Sequence, residues 1–234
     1  MSKKSEFAEG VRNSIPIAIG YFSVSFSFGI MVAAVGLTPS IAGLMSITNV
    51  TSAGQFAGLT LISNGTTYME IILTQLIINL RYALMSLSLS QKLSSRLPVW
   101  KRMVMAFANT DEIFAVASAR KGEVSFAYME GLELLPVLFW TLGSVVGAVA
   151  NNLLPIALQS ALGVALYAMF VAIILPPARE KTGVALVVVL AILISCGLHF
   201  IPVFSGISSG FSIIISTVLA AGIGSVIFPI REEE

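Results

Sequence analysis

Polar and apolar positions alternate on a long scale in this chain, with extended uncharged runs separated by short clusters of turn-forming or charged residues. Ile15–Val35 carries no charge over 21 residues, enough to cross a hydrocarbon core about 30 Å thick. Leu132–Ala150, Ile156–Leu175, Val184–Phe200 and Ile207–Phe228 have the same character and read as spans, the first with Glu130 and Glu133 at its mouth. A long helix is expected from Tyr68 to Lys92. Inside the first run Pro16, Gly20, Ser23 and Ser27 recur at helical spacing, a small, weakly polar stripe suited to packing; Tyr21 and Ser25 face either that packing or a cavity.

Two stretches depart from this pattern. Ile41–Ile62 is long enough to span, yet its middle holds Ser46, Thr48, Asn49, Thr51, Ser52 and Gln55 with Gly54 and Gly58, and no charge. Irregular backbone at membrane depth is tolerated where it is buried in protein or lines a wet cavity, and broken helices are where secondary transporters hold their substrates. The competing reading is a small-residue helix that lets neighbours approach closely. Met103–Ala119 is a second short apolar segment, with Asp111 and Glu112 at its centre and Arg120 and Lys121 after it.

The helix expected at 68–92 has a polar face. Gln75, Asn79, Tyr82, Ser86 and Ser90 recur every three or four residues, and Arg81 lies beside them near mid-span. A charge at the bilayer centre costs about 2.5 kcal/mol or more, so Arg81 is expected to face the protein interior and to have a partner. Two roles fit: a structural ion pair, or capture of a substrate carboxylate by the guanidinium fork.

Composition places the whole chain in the membrane class. Of 234 residues 56% are hydrophobic and only 11% charged, with a mean hydropathy of +0.94, against about 25% charged in soluble domains. A net charge of +1 provides no basic surface for nucleic acid. Cys196 and His199 are the single cysteine and histidine, so neither a disulfide framework nor a metal site is expected. Where the charges sit decides topology. Lys92, Arg96, Lys101 and Arg102, beside Trp100 as an interfacial anchor, belong in the cytoplasm by the positive-inside rule. That requires 41–64 to enter and leave from the outer side and 103–119 to do the same from the inner side. The expected architecture is an all-α, polytopic membrane helix bundle with cytoplasmic termini, six full spans and two re-entrant or broken helices; eight spans is the alternative. Residues 1–234 form one transporter domain, with a motif-bearing half at 12–120 and a four-helix half at 130–229.

Gly206-Ile207-Ser208-Ser209-Gly210 matches G-x-S-x-G by letter, but a nucleophile elbow needs a strand-to-helix turn, and no nucleophile and base pair stands out. Gly143 and Gly147 form a small-x-x-x-small pair, a close-packing site and a candidate docking face for another membrane protein.

Ile15-Pro16-Ile17 with Gly20-Tyr21, Ala42-Gly43-Leu44-Met45-Ser46, Ser52-Ala53-Gly54-Gln55-Phe56-Ala57, Asn79-Leu80-Arg81-Tyr82-Ala83-Leu84-Met85-Ser86 and Thr110-Asp111-Glu112-Ile113-Phe114-Ala115 together resemble the AzlC/YgaZ family, in order over residues 12–120. Members of that family typically read closer to Phe-Ala-Gly-Ser-Ala-Gln-Phe where this chain has Asn49-Val50-Thr51-Ser52-Ala53-Gly54-Gln55-Phe56. The resemblance implies the large subunit of a bacterial branched-chain amino-acid exporter of the inner membrane, carrying valine, leucine, isoleucine and, as a further candidate, methionine. It also implies a small membrane subunit of the AzlD/YgaH type. A zwitterionic amino acid needs a cation or helix-end amides for its carboxylate, a carboxylate or carbonyls for its ammonium, and an apolar wall for its side chain. Asn49, Thr51, Ser52, Gln55, Phe56, Asn79 and Arg81 are the substrate-binding candidates, with Phe114 a further apolar one. Asp111 and Glu112 are candidates for ammonium binding or proton coupling, or else form the first turn of a helix capped by Thr110. No cofactor or metal is expected, and a secondary transporter is expected rather than an enzyme. A channel or pore for a small solute or ion is the alternative, separated from a transporter by ohmic rather than saturable flux.

Overall fold

Helices account for all the regular structure among the described residues, which are 3–151, 155, 171 and 174–228 of a computed structural model. In chain order those whose bounds lie within the described residues are α1 (Lys3–Ala34), α2 (Pro39–Thr48), α3 (Ser52–Ser63), α4 (Tyr68–Ser90), α5 (Val99–Phe107), α6 (Asp111–Ala119), α7 (Phe126–Ala150), α8 (Thr182–Phe200), a 3₁₀ turn (Pro202–Phe204) and α9 (Ser209–Ile227). Five of them, α1, α4, α7, α8 and α9, are long and apolar enough to cross a membrane. The span expected at Ile156–Leu175 lies, but for Val171, Ile174 and Leu175, outside the described residues. The chain is a polytopic membrane helix bundle.

The described residues separate into two compact units, 3–56 with 79–151 and 155, and 57–78 with 171 and 174–228. In the first, α1 and α7 lie side by side in parallel, and glycine sets their distance. A methyl group at Gly10 would strike the backbone at Tyr128 and Leu132, at Gly131 that of Phe7, at Gly29 that of Ser144 and Ala148, and at Gly147 that of Phe26. Gly143 meets Phe22 and Ser25. In lipid, where burying apolar side chains against each other gains little over burying them in acyl chains, such backbone approach supplies the packing that holds helices together. The Gly143/Gly147 pair is therefore occupied by α1, which corrects its expected role as a docking face. Of the small stripe on α1, Pro16, Gly20 and Ser23 remain exposed and Ser27 is buried.

The second half of α4 runs in the opposite direction to this pair. Asn79 meets Thr51 at the level of Trp140, Leu89 packs with Tyr128, Met129 and Leu132, and the Lys92 carbonyl accepts from Val124 N–H at 2.9 Å. Since α1 and α7 are parallel, the chain between them crosses the bundle an odd number of times. One crossing is α4, and the two remaining segments turn back.

The first turns back between α2 and α3. Thr51 N–H bonds to the Asn49 carbonyl at 2.8 Å, and Thr51's own carbonyl starts the next helix by accepting from Gln55 N–H. Gln55 then reaches back across the break to Ser46. The second turns back between α5 and α6, where Thr110 N–H bonds to the Ala108 carbonyl at 2.8 Å and Phe114 N–H to the Thr110 carbonyl. Its two ends return to one place: Trp100 at the start of α5 meets Phe126 at the start of α7, with ring centroids 5.7 Å apart, while Ser118 and Arg120 at the end of α6 accept from Lys92 Nζ. The expected boundary at Met103 moves to Val99, because Pro98, with extended dihedrals, supplies the N-cap position. Asn, Thr and β-branched residues at both breaks compete with helical backbone bonding or lose rotamer freedom there, which accounts for the chain parting at these two points.

In the second unit Gly224 of α9 lies against Val187 of α8. Glu70, 5% exposed, accepts from the Ser208 hydroxyl and from Gly210 N–H at 3.0 Å, an anion at the positive end of α9. Ser208 thus caps α9 and donates to the Glu70 carboxylate.

Candidate functional site

The two breaks arrive at one level from opposite directions, and Tyr21 stands between them. Val50, in the first break, packs with the Tyr21 ring and with Trp140, whose ring lies edge-on to Tyr21 at 5.3 Å. The Tyr21 hydroxyl hydrogen-bonds with Thr110 Oγ1 in the second break and with Glu112 Oε2 at 2.6 Å. The sequence left Tyr21 undecided between packing and cavity; it is 8% exposed and packs, with its ring inward and its hydroxyl on polar partners.

Each break is tied to the long helix that precedes the other. Thr51 Oγ1 donates to Asn79 Oδ1 of α4 at 2.8 Å; Thr110 is held by Tyr21 of α1, and its neighbour Asn109 donates to Ser86 of α4 at 3.2 Å. A span followed by a broken helix thus occurs twice, as α1 with α2/α3 and as α4 with α5/α6, in opposite directions. This is the plan of inverted repeats, in which discontinuous helices bring their ends together at mid-membrane.

The polar face expected on α4 is present, with Asn79 and Ser86 directed at the breaks. Arg81 Nη2 contacts Asp111 Oδ2 at 3.0 Å, and its guanidinium lies 5.0 Å from the Tyr82 ring centroid. The Arg81 and Asp111 side chains are 43% and 47% exposed. Arg81 therefore has the expected partner without the expected enclosure, and the pair is open to an incoming solute. Asp111 and Glu112 form the first turn of α6 with Thr110 at the N-cap position, but the Thr110 side chain makes no capping bond and is turned to Tyr21.

The other candidates divide by access. Asn49 and Ser52 are half-buried at the first break and Thr51 is buried. Gln55 is fully buried: its amide donates to Ser46 Oγ at 2.6 Å and accepts from the Trp140 indole N–H at 2.8 Å. Phe56, 5% exposed, packs edge-on to Phe28 at 5.2 Å, and Phe114 packs beside the Met105, Ile113 and Tyr128 core. Gln55 and Phe56 thus fix the shape of the first break, whereas Arg81, Asp111 and Glu112 are accessible. Sequence reasoning passed over Trp140, Ser144 and Asn109. Trp140 carried a usable signal, because tryptophan favours the interfaces of a span and one in mid-span needs an acceptor for its N–H. Ser144, which accepts from Ser46 Oγ at 2.6 Å, carried none that distinguishes it from a packing serine.

The electrostatics of the two breaks differ in sign. The first turn of α3 contains no acidic residue, so no side-chain charge there opposes the positive end of its dipole, while the first turn of α6 carries two carboxylates that outweigh its helix dipole.

Comparison with known proteins gives consistent results. The AzlC protein family model matches residues 16–154. An uncharacterized membrane protein of Archaeoglobus fulgidus is 32% identical over 183 residues, 77% of this chain and 80% of the relative. Inner membrane protein YgaZ of Escherichia coli is 31% identical over 183 residues, 75% of this chain and 74% of the relative. An uncharacterized membrane protein of Helicobacter pylori is 28% identical over 149 residues, 62% and 64% of the two chains. No solved structure matches the chain.

Proposed function

The chain belongs to the AzlC family, and on that footing we propose that it exports branched-chain amino acids, valine, leucine and isoleucine with methionine as a further candidate, across the bacterial inner membrane. Family membership points to a membrane transport role rather than an enzymatic one; the substrate, the coupling to protons and a small AzlD/YgaH-type subunit are part of the proposal. The carrying observation is the pair of breaks with ends of opposite sign. The substrate carboxylate goes to Arg81 and the first-turn amides of α3, beside Asn49, Thr51, Ser52 and Asn79. The ammonium goes to Asp111 and Glu112. A zwitterion placed between Arg81 and Asp111 replaces their mutual contact with one counter-charge for each, so no charge is left uncompensated. The branched side chain faces the aliphatic surroundings of Phe56 and Phe114.

The positive-inside rule orients the protein. Lys92, Lys101 and Arg120 gather at the end of the bundle where α7 begins, and that end, with both termini, is assigned to the cytoplasm.

Loading cells with leucine- or valine-containing dipeptides and following the free amino acids inside and outside tests the reading. Faster, saturable efflux in cells that make the protein is expected. Unchanged efflux, or an ohmic conductance with no solute saturation, would contradict it.

A further inference from the structure

Glu133 was expected at the mouth of a span beside Glu130, but the structure separates the two. Glu130 is exposed, whereas Glu133 is 7% exposed and its Oε1 has no hydrogen-bond partner. The other acidic groups near membrane depth all have partners: Asp111 has Arg81, Glu112 has Tyr21, and the buried Glu70 has Ser208 and the Gly210 amide.

The charged groups on the helices around α7 are engaged elsewhere or lie at the surface. On α1, Glu9 pairs with Arg120, Glu6 accepts from Ser125, and Arg12 is exposed. On α5, Lys101 lies over Phe126, and Arg102 donates to the Ser94 and Leu97 carbonyls. On α6 there are Asp111 and Glu112, and α2 has no ionisable side chain. Glu130, three residues away on α7, carries the same sign. On α4, which shares a core with Leu132 through Leu89, Arg81 pairs with Asp111; no described cation pairs with Glu133, and a buried carboxylate without a counter-ion is costly.

Its position suits a carrier. Glu133, Val137, Trp140 and Ser144 follow one another at three- and four-residue intervals, so they share one face of α7. Val137 packs beside Val50 and Tyr21, Trp140 bonds to Gln55, and Ser144 to Ser46. That face is the one turned to the first break. Toward the end of the bundle where α7 begins, the exposed Glu130 is its neighbour one turn away.

We propose that Glu133 is the group that carries the coupling proton, taking it up or releasing it as the first break rearranges, while Asp111 and Glu112 serve the ammonium. The step is a proton transfer between water, through Glu130, and the Glu133 carboxyl. This assignment rests on the transport reading above, and its test has one arm that does not.

Inside-out membrane vesicles from a host producing the full chain together with an AzlD/YgaH-type subunit are compared for wild type, Glu133→Gln and Asp111→Asn, with radiolabelled leucine. In a one-proton cycle a gradient of one pH unit shifts the steady-state leucine ratio by up to about tenfold. Glu133→Gln is expected to keep leucine-for-leucine exchange at equal pH while its ratio no longer responds to the gradient; Asp111→Asn should lose exchange as well. A Glu133→Gln protein whose gradient response and pH profile match wild type overturns the proposal. In the second arm, infrared spectra of the purified chain are titrated with pH. Loss of a protonated-carboxyl band in Glu133→Gln supports the assignment, and unchanged spectra overturn it. Absence of leucine exchange in wild type defeats the transport reading alone and leaves the infrared arm to decide the proton site.

Discussion

Thr51 and Thr110 occupy the same position in two chain breaks that are built alike. Each threonine N–H reaches the carbonyl two residues back, each threonine carbonyl opens the following helix, and each hydroxyl engages a polar residue of the long helix that precedes the other break. A side chain buried in this way and deprived of its partner costs about 1–3 kcal/mol. Tyr21→Phe removes the contacts to both Thr110 and Glu112 and is expected to lower the thermal midpoint of the purified protein more than Thr51→Val, which removes one contact. Equal midpoints for Tyr21→Phe and wild type would show that the Tyr21 hydroxyl does not hold the second break.

Trp140→Phe leaves Gln55 Oε1 without its donor inside the unit, and Gln55→Leu leaves the indole N–H without its acceptor. A double-mutant cycle on these two residues should give a coupling of about 0.5–3 kcal/mol in denaturant unfolding. Additive losses would separate the pair energetically.

Gly147→Leu places a side chain against the Phe26 backbone, where not even a methyl group fits. The expected outcome is loss of folded, detergent-extractable protein. Gly20→Ala, at a site with nothing within 4 Å, should leave it unchanged. Normal yields of Gly147→Leu would contradict the parallel α1/α7 packing.

Orientation can be read from a single introduced thiol. In a Cys196→Ser background, Ser94→Cys is expected to react with a membrane-impermeant maleimide in inside-out vesicles and not in intact cells. Labelling from outside intact cells would reverse the proposed topology.

Much of the first unit was legible because charge and polarity in a bilayer leave few arrangements open. The cluster from Lys92 to Arg102 and the polar centres at Asn49–Thr51 and Asp111–Glu112 pointed to two segments that turn back, and the second half of α4, running opposite to α1 and α7, agrees with that reading. What the sequence concealed depends on which faces meet. Gly143 and Gly147 signal close packing in any membrane protein, and nothing in the spacing says that α1 rather than another chain fills it. Glu133 looked like a mouth residue beside Glu130; the difference between them is the rotation of α7 about its axis, which places one outward and the other inward. Gln55 read as a ligand because it lies in the polar centre of 41–62, and it found partners in Ser46 and Trp140, far apart in sequence and adjacent only after folding.

The Arg81–Asp111 pair carries the central claim, since a structural lock and a substrate clamp predict opposite behaviour when both members are removed. For a lock, Arg81→Leu with Asp111→Leu leaves no unpaired charge and should recover what either change loses alone. For the clamp, each single variant falls about tenfold or more in export, as loss of a charge-assisted contact implies. Arg81→Lys also falls, because it keeps the charge and loses the fork. The decisive measurement is leucine export by the folded Arg81→Leu, Asp111→Leu protein: it is expected to stay inactive, and export near the wild-type rate would contradict the assignment of this pair to the substrate.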